Sequence, residues 1–244
     1  MGAHIHWHGA PGAVSVLCLP YAGGDGSVYR HWPAALGGRA RVGWAEFPGR
    51  GEHFALAPLR RIAQQVQWLL PEALAVPTPL VIFGYSMGAL IGYELAHALR
   101  EAGAPSPALL AVAAHHAPGR APLHDPLHQL TGAEFVRRLA AFEGTPAEVL
   151  GNAELLALLE PRLRADFEAC ETYLPQDRAL LTVPIVAYGG VADSEVPLEA
   201  LLHWAPLTQS RFECVPLPGH HFFLHAQAAA LTRDLGVRLR SVGR

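Results

Sequence analysis

At 244 residues, 51% hydrophobic and only 16% charged, the chain is long and apolar enough to bury one core, and a single domain spanning 1–244 is expected. A net charge of −3 argues against a nucleic-acid partner or a polybasic membrane anchor, and no apolar run reaches the roughly 18–20 residues that cross a bilayer. All eighteen basic residues are arginine, which excludes a Schiff-base lysine, a phosphate-loop lysine and a Ser–Lys dyad. Cys18, Cys170 and Cys214 are too few and too scattered for a disulfide framework or a paired-cysteine metal site. The start of the chain, Met1 to His8, lacks the basic and apolar parts of a secretion signal, so a cytoplasmic location is expected. The alternating His4, His6 and His8 read as a frayed tail, beside the alternative of adventitious metal binding.

The first predicted strand, Val14 to Leu19, is apolar at nearly every position, as a strand buried on both faces must be. It runs into Pro20-Tyr21-Ala22-Gly23-Gly24-Asp25-Gly26-Ser27, a loop with enough glycine to aim backbone N–H groups into a cavity. A short helix is predicted over Val28 to Leu36, a strand over Arg41 to Phe47, and a helix over Ile62 to Leu74 with a core-facing stripe at Ile62, Val66, Leu69, Leu70 and Leu74. The strand Leu80 to Phe83 is followed by Gly84-Tyr85-Ser86-Met87-Gly88 and a helix from Met87 to Arg100, then by a strand from Leu109 to Ala114. From about 121 to 178 the alternation stops. Three helices are predicted there, Ala133 to Phe142, Pro146 to Leu150 and Ala153 to Tyr173, and they read as a helical lid inserted over the sheet edge. Strands Val183 to Tyr188 and Arg211 to Leu217 and an Ala-rich terminal helix complete the chain. Strands alternating with helices in this way predict an α/β fold whose mostly parallel sheet is covered on both faces.

Gly-x-Ser-x-Gly between a strand and a helix marks Ser86 as a nucleophile on a strained turn, exposed above the sheet edge at a helix N-terminus. Asp193, in the loop after Val183 to Tyr188, and a histidine of the His220-His221 pair after Arg211 to Leu217 complete a serine triad. The order nucleophile, acid, base is that of the α/β-hydrolase arrangement. Asp125 and Asp177 flank the insertion and do not occupy a strand-end loop as Asp193 does. The main-chain amides of Ala22 and Met87 are the candidate oxyanion donors, and His115 and His116, past the preceding strand, are expected to line the same pocket. A carboxylesterase, an amidase or an acyltransferase would use the same three residues.

Several segments together resemble the type II thioesterases that accompany polyketide and nonribosomal peptide synthases. They are Leu19-Pro20-Tyr21-Ala22-Gly23-Gly24, Phe47-Pro48-Gly49-Arg50-Gly51-Glu52, Phe83 to Ala89, Leu163-Arg164-Ala165-Asp166-Phe167 in the insertion, and Gly219-His220-His221-Phe222-Phe223-Leu224. The resemblance runs from about Val14 to Leu235 and selects His221, directly before the Phe pair, as the base. His220 then stands in a glycine's place, Tyr85 where the family usually has His, and Ala192 where a second Asp is common. Tyr21, Tyr85, His116 and His220 are expected to form the pocket wall. The resemblance implies hydrolysis of acyl thioesters from the phosphopantetheine arm of a carrier protein; a monomeric enzyme with no cofactor or metal of its own is expected. Carrier proteins are usually acidic, and Arg137, Arg138, Arg162 and Arg164 are candidate docking charges beside the alternative of solvated helix faces.

Overall fold

Along the central strands successive side chains point to opposite sides. Leu17, Leu19, Ile82, Leu110, Val112, Ile185 and Ala187 enter one apolar cluster, while Val16, Cys18, Val81, Phe83, Ala111, Val186 and Tyr188 enter another. A sheet with two apolar faces must be covered twice, and it is. The computed structural model describes residues 2–9, 14–77, 79–119, 126–141 and 147–242. Seven strands form one sheet: β1 Ile5–His8, β2 Val14–Leu19, β3 Ala40–Ala45, β4 Leu80–Tyr85, β5 Leu109–Ala113, β6 Ile185–Gly190 and β7 Phe212–Leu217. Their order across the sheet is β1-β3-β2-β4-β5-β6-β7; β1 is antiparallel to β3 and all other pairs are parallel.

Helices α2 (Ile62–Leu74) and α3 (Met87–Glu101) cover the first face. The second is covered by α1 (Trp32–Ala35) and α9 (Ala228–Arg238), with Trp32, Leu231 and Leu235 driven into it. Between β5 and β6 lie α4 (Gly132–Ala141), α5 (Ala147–Leu150) and α6 (Ala153–Glu171), as the sequence predicts to within a few residues at their ends. The predicted end Phe142 and start Pro146 lie outside the described residues, as does Asp125. These helices share a small apolar centre of their own built on Leu127, Phe135, Leu139, Leu156 and Leu163. After β6 come a short helix α7 (Leu198–Leu201) and a 3-10 turn over Leu202–Leu207, neither of which the sequence pattern predicts. The terminal helix is divided into α8 (Phe223–Ala226) and α9.

The N-terminal segment corrects the expected frayed tail. Ile5 pairs with Ala45 and His8 with Val42, so the alternation of histidines with Ile5 and Trp7 is the two-residue period of an edge strand. Ile5 is buried, His4 stacks on Trp68 at 3.8 Å and His8 on Trp44 at 4.0 Å, so ring contacts fix this strand.

Within α3, behind Ser86, His97 is buried and its Nδ1 accepts from Arg100 at 2.9 Å, which requires the neutral ring. Burial, with Arg178 and Arg100 nearby, lowers its pKa to about 4. A folded pKa below the ordinary value of about 6.5 means that the unfolded chain binds the extra proton first. Stability from this group is therefore whole above pH ~6.5 and drains away as the pH falls toward ~4. Denaturant midpoints followed across that window should fall with pH, and His97→Gln should flatten the dependence; an unchanged slope would rule His97 out as its source.

Candidate active site

Ser86 follows the last residue of β4 and precedes the first of α3, and the chain reverses there with φ +50° and ψ −116°. So sharp a turn brings backbone against backbone. A Cβ on Gly84 would lie 2.1 Å from the Gly88 carbonyl oxygen, and one on Gly88 would lie 2.2 Å from that of Leu19. Both neighbours are main chain and have little room to shift. Gly84→Ala and Gly88→Ala should each cost at least about 2 kcal/mol and slow the labelling of Ser86 by a fluorophosphonate. Urea midpoints within about 0.5 kcal/mol of wild type would show that the turn tolerates a methyl group.

Because β4, β6 and β7 are parallel, the loops leaving them gather at one sheet edge. Ser86 Oγ lies 3.3 Å from His221 Nε2, and His221 Nδ1 lies 3.0 Å from Asp193 Oδ2. The other carboxylate oxygen of Asp193 accepts the N–H groups of Glu195 at 2.9 Å and Val196 at 3.0 Å, so its orientation is set from both sides. Asp193 and His221 are buried, and Ser86 is half-buried. Of the two adjacent histidines, His220 is exposed and its Nδ1–H donates to the Ala192 carbonyl at 2.9 Å, away from Ser86. His115 is no rival base. Burial, with His116 beside it, lowers its pKa to about 3, too weak to take a serine proton near neutral pH.

Ser86 and His221 open into a cavity of about 360 Å³. Its floor is the Tyr21 to Asp25 loop, and its cover is formed by Leu139 of α4, Val149 of α5 and Leu159, Leu163 and Phe167 of α6. Of the four residues expected to form the pocket wall, only Tyr21 lines this cavity. Tyr85 is wholly buried behind Tyr21, His116 turns its Nδ1 to the Ala117 carbonyl at 3.1 Å, and His220 faces outward. Asp177 is exposed.

The loop after β2 is a tight turn. Gly24 N–H donates to the Tyr21 carbonyl at 2.9 Å, and Gly23 occupies the left-handed position at φ +76°. Among the described residues no acceptor takes the N–H of Ala22 or of Met87, and Ala22 lines the cavity with Ser86. Three charged side chains grip the turn from outside the loop. Asp166 Oδ2 accepts the Gly23 N–H at 2.7 Å, Arg162 donates to the Gly23 carbonyl at 2.8 Å, and Arg50 Nε donates to the Gly24 carbonyl at 2.8 Å. Arg50 and Asp166 also form an ion pair in which each side chain is 1% exposed. Burial pushes the Asp166 carboxyl up, and Arg50, Arg162 and the Gly23 N–H oppose that push.

Two of the candidate docking arginines are therefore spent inside the molecule. Arg162 holds the Gly23 carbonyl; Arg164 binds Glu160 at 2.7 Å and the carbonyls of His128 and Leu130, and lies 4.2 Å over the Phe135 ring. Arg137 remains exposed.

The family model described as the thioesterase domain matches residues 15–238. The chain belongs to the thioesterase family. Among curated relatives, the gramicidin S biosynthesis protein GrsT of Aneurinibacillus migulanus is 34% identical over 228 residues, covering 93% of this chain and 89% of GrsT. The thioesterase PikA5 of Streptomyces venezuelae is 33% identical over 241 residues, covering 96% and 84%. Among solved structures, the type II thioesterase BorB from the borrelidin biosynthetic cluster superposes with a TM-score of 0.88 at 33% identity, covering 97% of each chain. The fold shared with these thioesterases is that of the α/β-hydrolases, and the activity of the family is thioester hydrolysis. Among the described residues no helix is long and apolar enough to cross a membrane.

Proposed function

We propose that this thioesterase clears acyl groups from the phosphopantetheine arm of a carrier protein in polyketide or nonribosomal peptide synthesis, using Ser86 as nucleophile, His221 as base and Asp193 as the acid that orients it. The observation that carries the reading is the unbroken chain Ser86 Oγ, His221 Nε2, His221 Nδ1, Asp193 Oδ2, at 3.3 Å and 3.0 Å, opening into a covered apolar cavity. The similarity to GrsT, PikA5 and BorB supports the pathway class. Work on such carriers would place the enzyme in the cytoplasm.

The chemistry follows from the positions of the atoms. His221 Nε2 takes the Ser86 proton as Oγ attacks the thioester carbon, and the carbonyl oxygen becomes an oxyanion. The free N–H groups of Ala22 and Met87 are its donors, the latter on the first residue of α3, where the helix dipole adds positive potential. The intermediate collapses with loss of the pantetheine thiolate, which takes the proton from His221. Water, deprotonated by the same imidazole, then cleaves the Ser86 ester and releases the acid. The apolar cover made by Leu159, Leu163 and Phe167 keeps all but the reacting water from the acyl-enzyme. The proposed reaction calls on no metal or cofactor of the protein's own.

The test is to load a carrier protein with a panel of acyl groups and follow release by mass spectrometry. Faster kcat/KM on acyl-carrier thioesters than on simple oxygen esters is the expected result. Equal rates on oxygen esters would make the chain a general esterase, and acyl transfer to an added alcohol or amine in preference to water would make it a transferase.

A further inference from the structure

The base of this site sits on a stretch of chain with little regular structure of its own. His221 lies in the bend between β7 and the four-residue helix α8, yet its ring must reach Ser86 on one side and Asp193 on the other. A shift of about 1 Å in a reacting group costs on the order of 100-fold in rate. Something must therefore hold the main chain of this bend.

Tyr85 does so from the neighbouring residue of the nucleophile. Its phenol O–H donates to the carbonyl of His221 itself at 2.5 Å, and its phenol oxygen accepts the Leu224 N–H at 3.2 Å. One oxygen thus ties the residue that carries the base to the first turn of α8. The ring is 0% exposed and packs against Phe223 at 5.2 Å and edge-on to Tyr21 at 6.1 Å, so the phenol has no freedom to swing away. Burial also keeps the hydroxyl protonated, and therefore a donor, at every working pH. Alternation along β4 explains the direction: Tyr85 shares a face with Phe83, the face covered by α9, and the His221 bend crosses that face.

We propose that Tyr85 is a positioning residue for the reaction: its hydroxyl fixes the backbone of His221 so that the imidazole spans Ser86 and Asp193. The proposal rests on the reading of His221 as the base. Nucleophile and base are thereby registered through adjacent residues of a single strand end, with the hydroxyl at position 85 spanning the gap between the loops.

The experiment compares two isosteric variants. Tyr85→Phe removes only the hydroxyl that meets His221. Tyr188→Phe removes the phenol bond of a similarly buried ring, to Asp234 at 2.6 Å, on the α9 side of β6 and outside the cavity lining, and controls for the general effect of losing a phenol bond. Tyr85→Phe should lower kcat by about 10- to 100-fold with KM within about twofold, slow fluorophosphonate labelling of Ser86 in proportion, and broaden the proton resonance of the His221–Asp193 hydrogen bond. Tyr188→Phe should leave all three readouts at their wild-type values. The proposal is overturned if Tyr85→Phe keeps kcat within about twofold of wild type, or if Tyr188→Phe loses as much. Measuring His221→Ala alongside separates the two levels. If that variant stays active, the assignment of the base fails; if it is inactive while Tyr85→Phe is not, only the positioning role fails.

Discussion

Ser86→Ala should lower kcat/KM for an acyl-carrier thioester by a factor of at least roughly 10³ and abolish fluorophosphonate labelling, with the unfolding midpoint little changed. In the proposed mechanism the serine hydroxyl bonds to the acyl carbon, so its removal leaves only binding and the oxyanion donors to assist direct attack by water. His221→Ala should fall to a similar level, and the double variant should fall hardly further. The three side chains form one relay from Oγ to Oδ2 at 3.3 Å and 3.0 Å, and a relay broken at one point gains nothing from its other members. Retention of more than a tenth of wild-type turnover by Ser86→Ala would remove the serine from the mechanism, however well placed it is.

Arg50→Met should destabilise the fold by about 3–5 kcal/mol, because it strands the Asp166 carboxylate in a place where it is 1% exposed. Asp166→Leu should cost as much by stranding the guanidinium. Arg50→Met with Asp166→Leu should recover much of the loss, since an apolar pair of similar volume stabilises a core as well as a buried ion pair. Activity should not recover with it. Only the charged pair supplies an acceptor for the Gly23 N–H and a donor for the Gly24 carbonyl, and without them the turn that presents Ala22 N–H is loose. Urea unfolding read beside kcat decides the matter: a single-variant loss below about 1 kcal/mol, smaller than a broken buried pair allows, would show that the site relaxes around the missing charge.

The layout of the sheet was legible wherever the hydrophobic period changed from two to about 3.6. Helix α2 has the same ends, Ile62 and Leu74, in the sequence pattern and in the fold, and β4 differs only in running on through Gly84 and Tyr85. The proposed triad was legible for the same reason: each candidate follows a strand, and parallel strands end at one edge. Edge strand β1 was not, because its outward face carries histidines where a central strand would carry aliphatic residues. The short elements after Asp193 were obscured by Pro197 and Pro206, which read as turn signals. Tyr85 was expected on the pocket wall, but its alternation with Phe83 sinks it into the buried aromatic cluster behind Tyr21. The grip of Arg50 on Asp166 lay beyond reach, since charged residues 116 positions apart carry no sign in sequence that they are buried together.

Arg162 and Asp166 stand one helical turn apart on α6, the helix that roofs the cavity, and each takes one polar group of Gly23. Roof and threshold are thus fastened together. An α6 displaced from the cavity would let go of both polar groups of Gly23 and, with them, of the turn that carries Ala22.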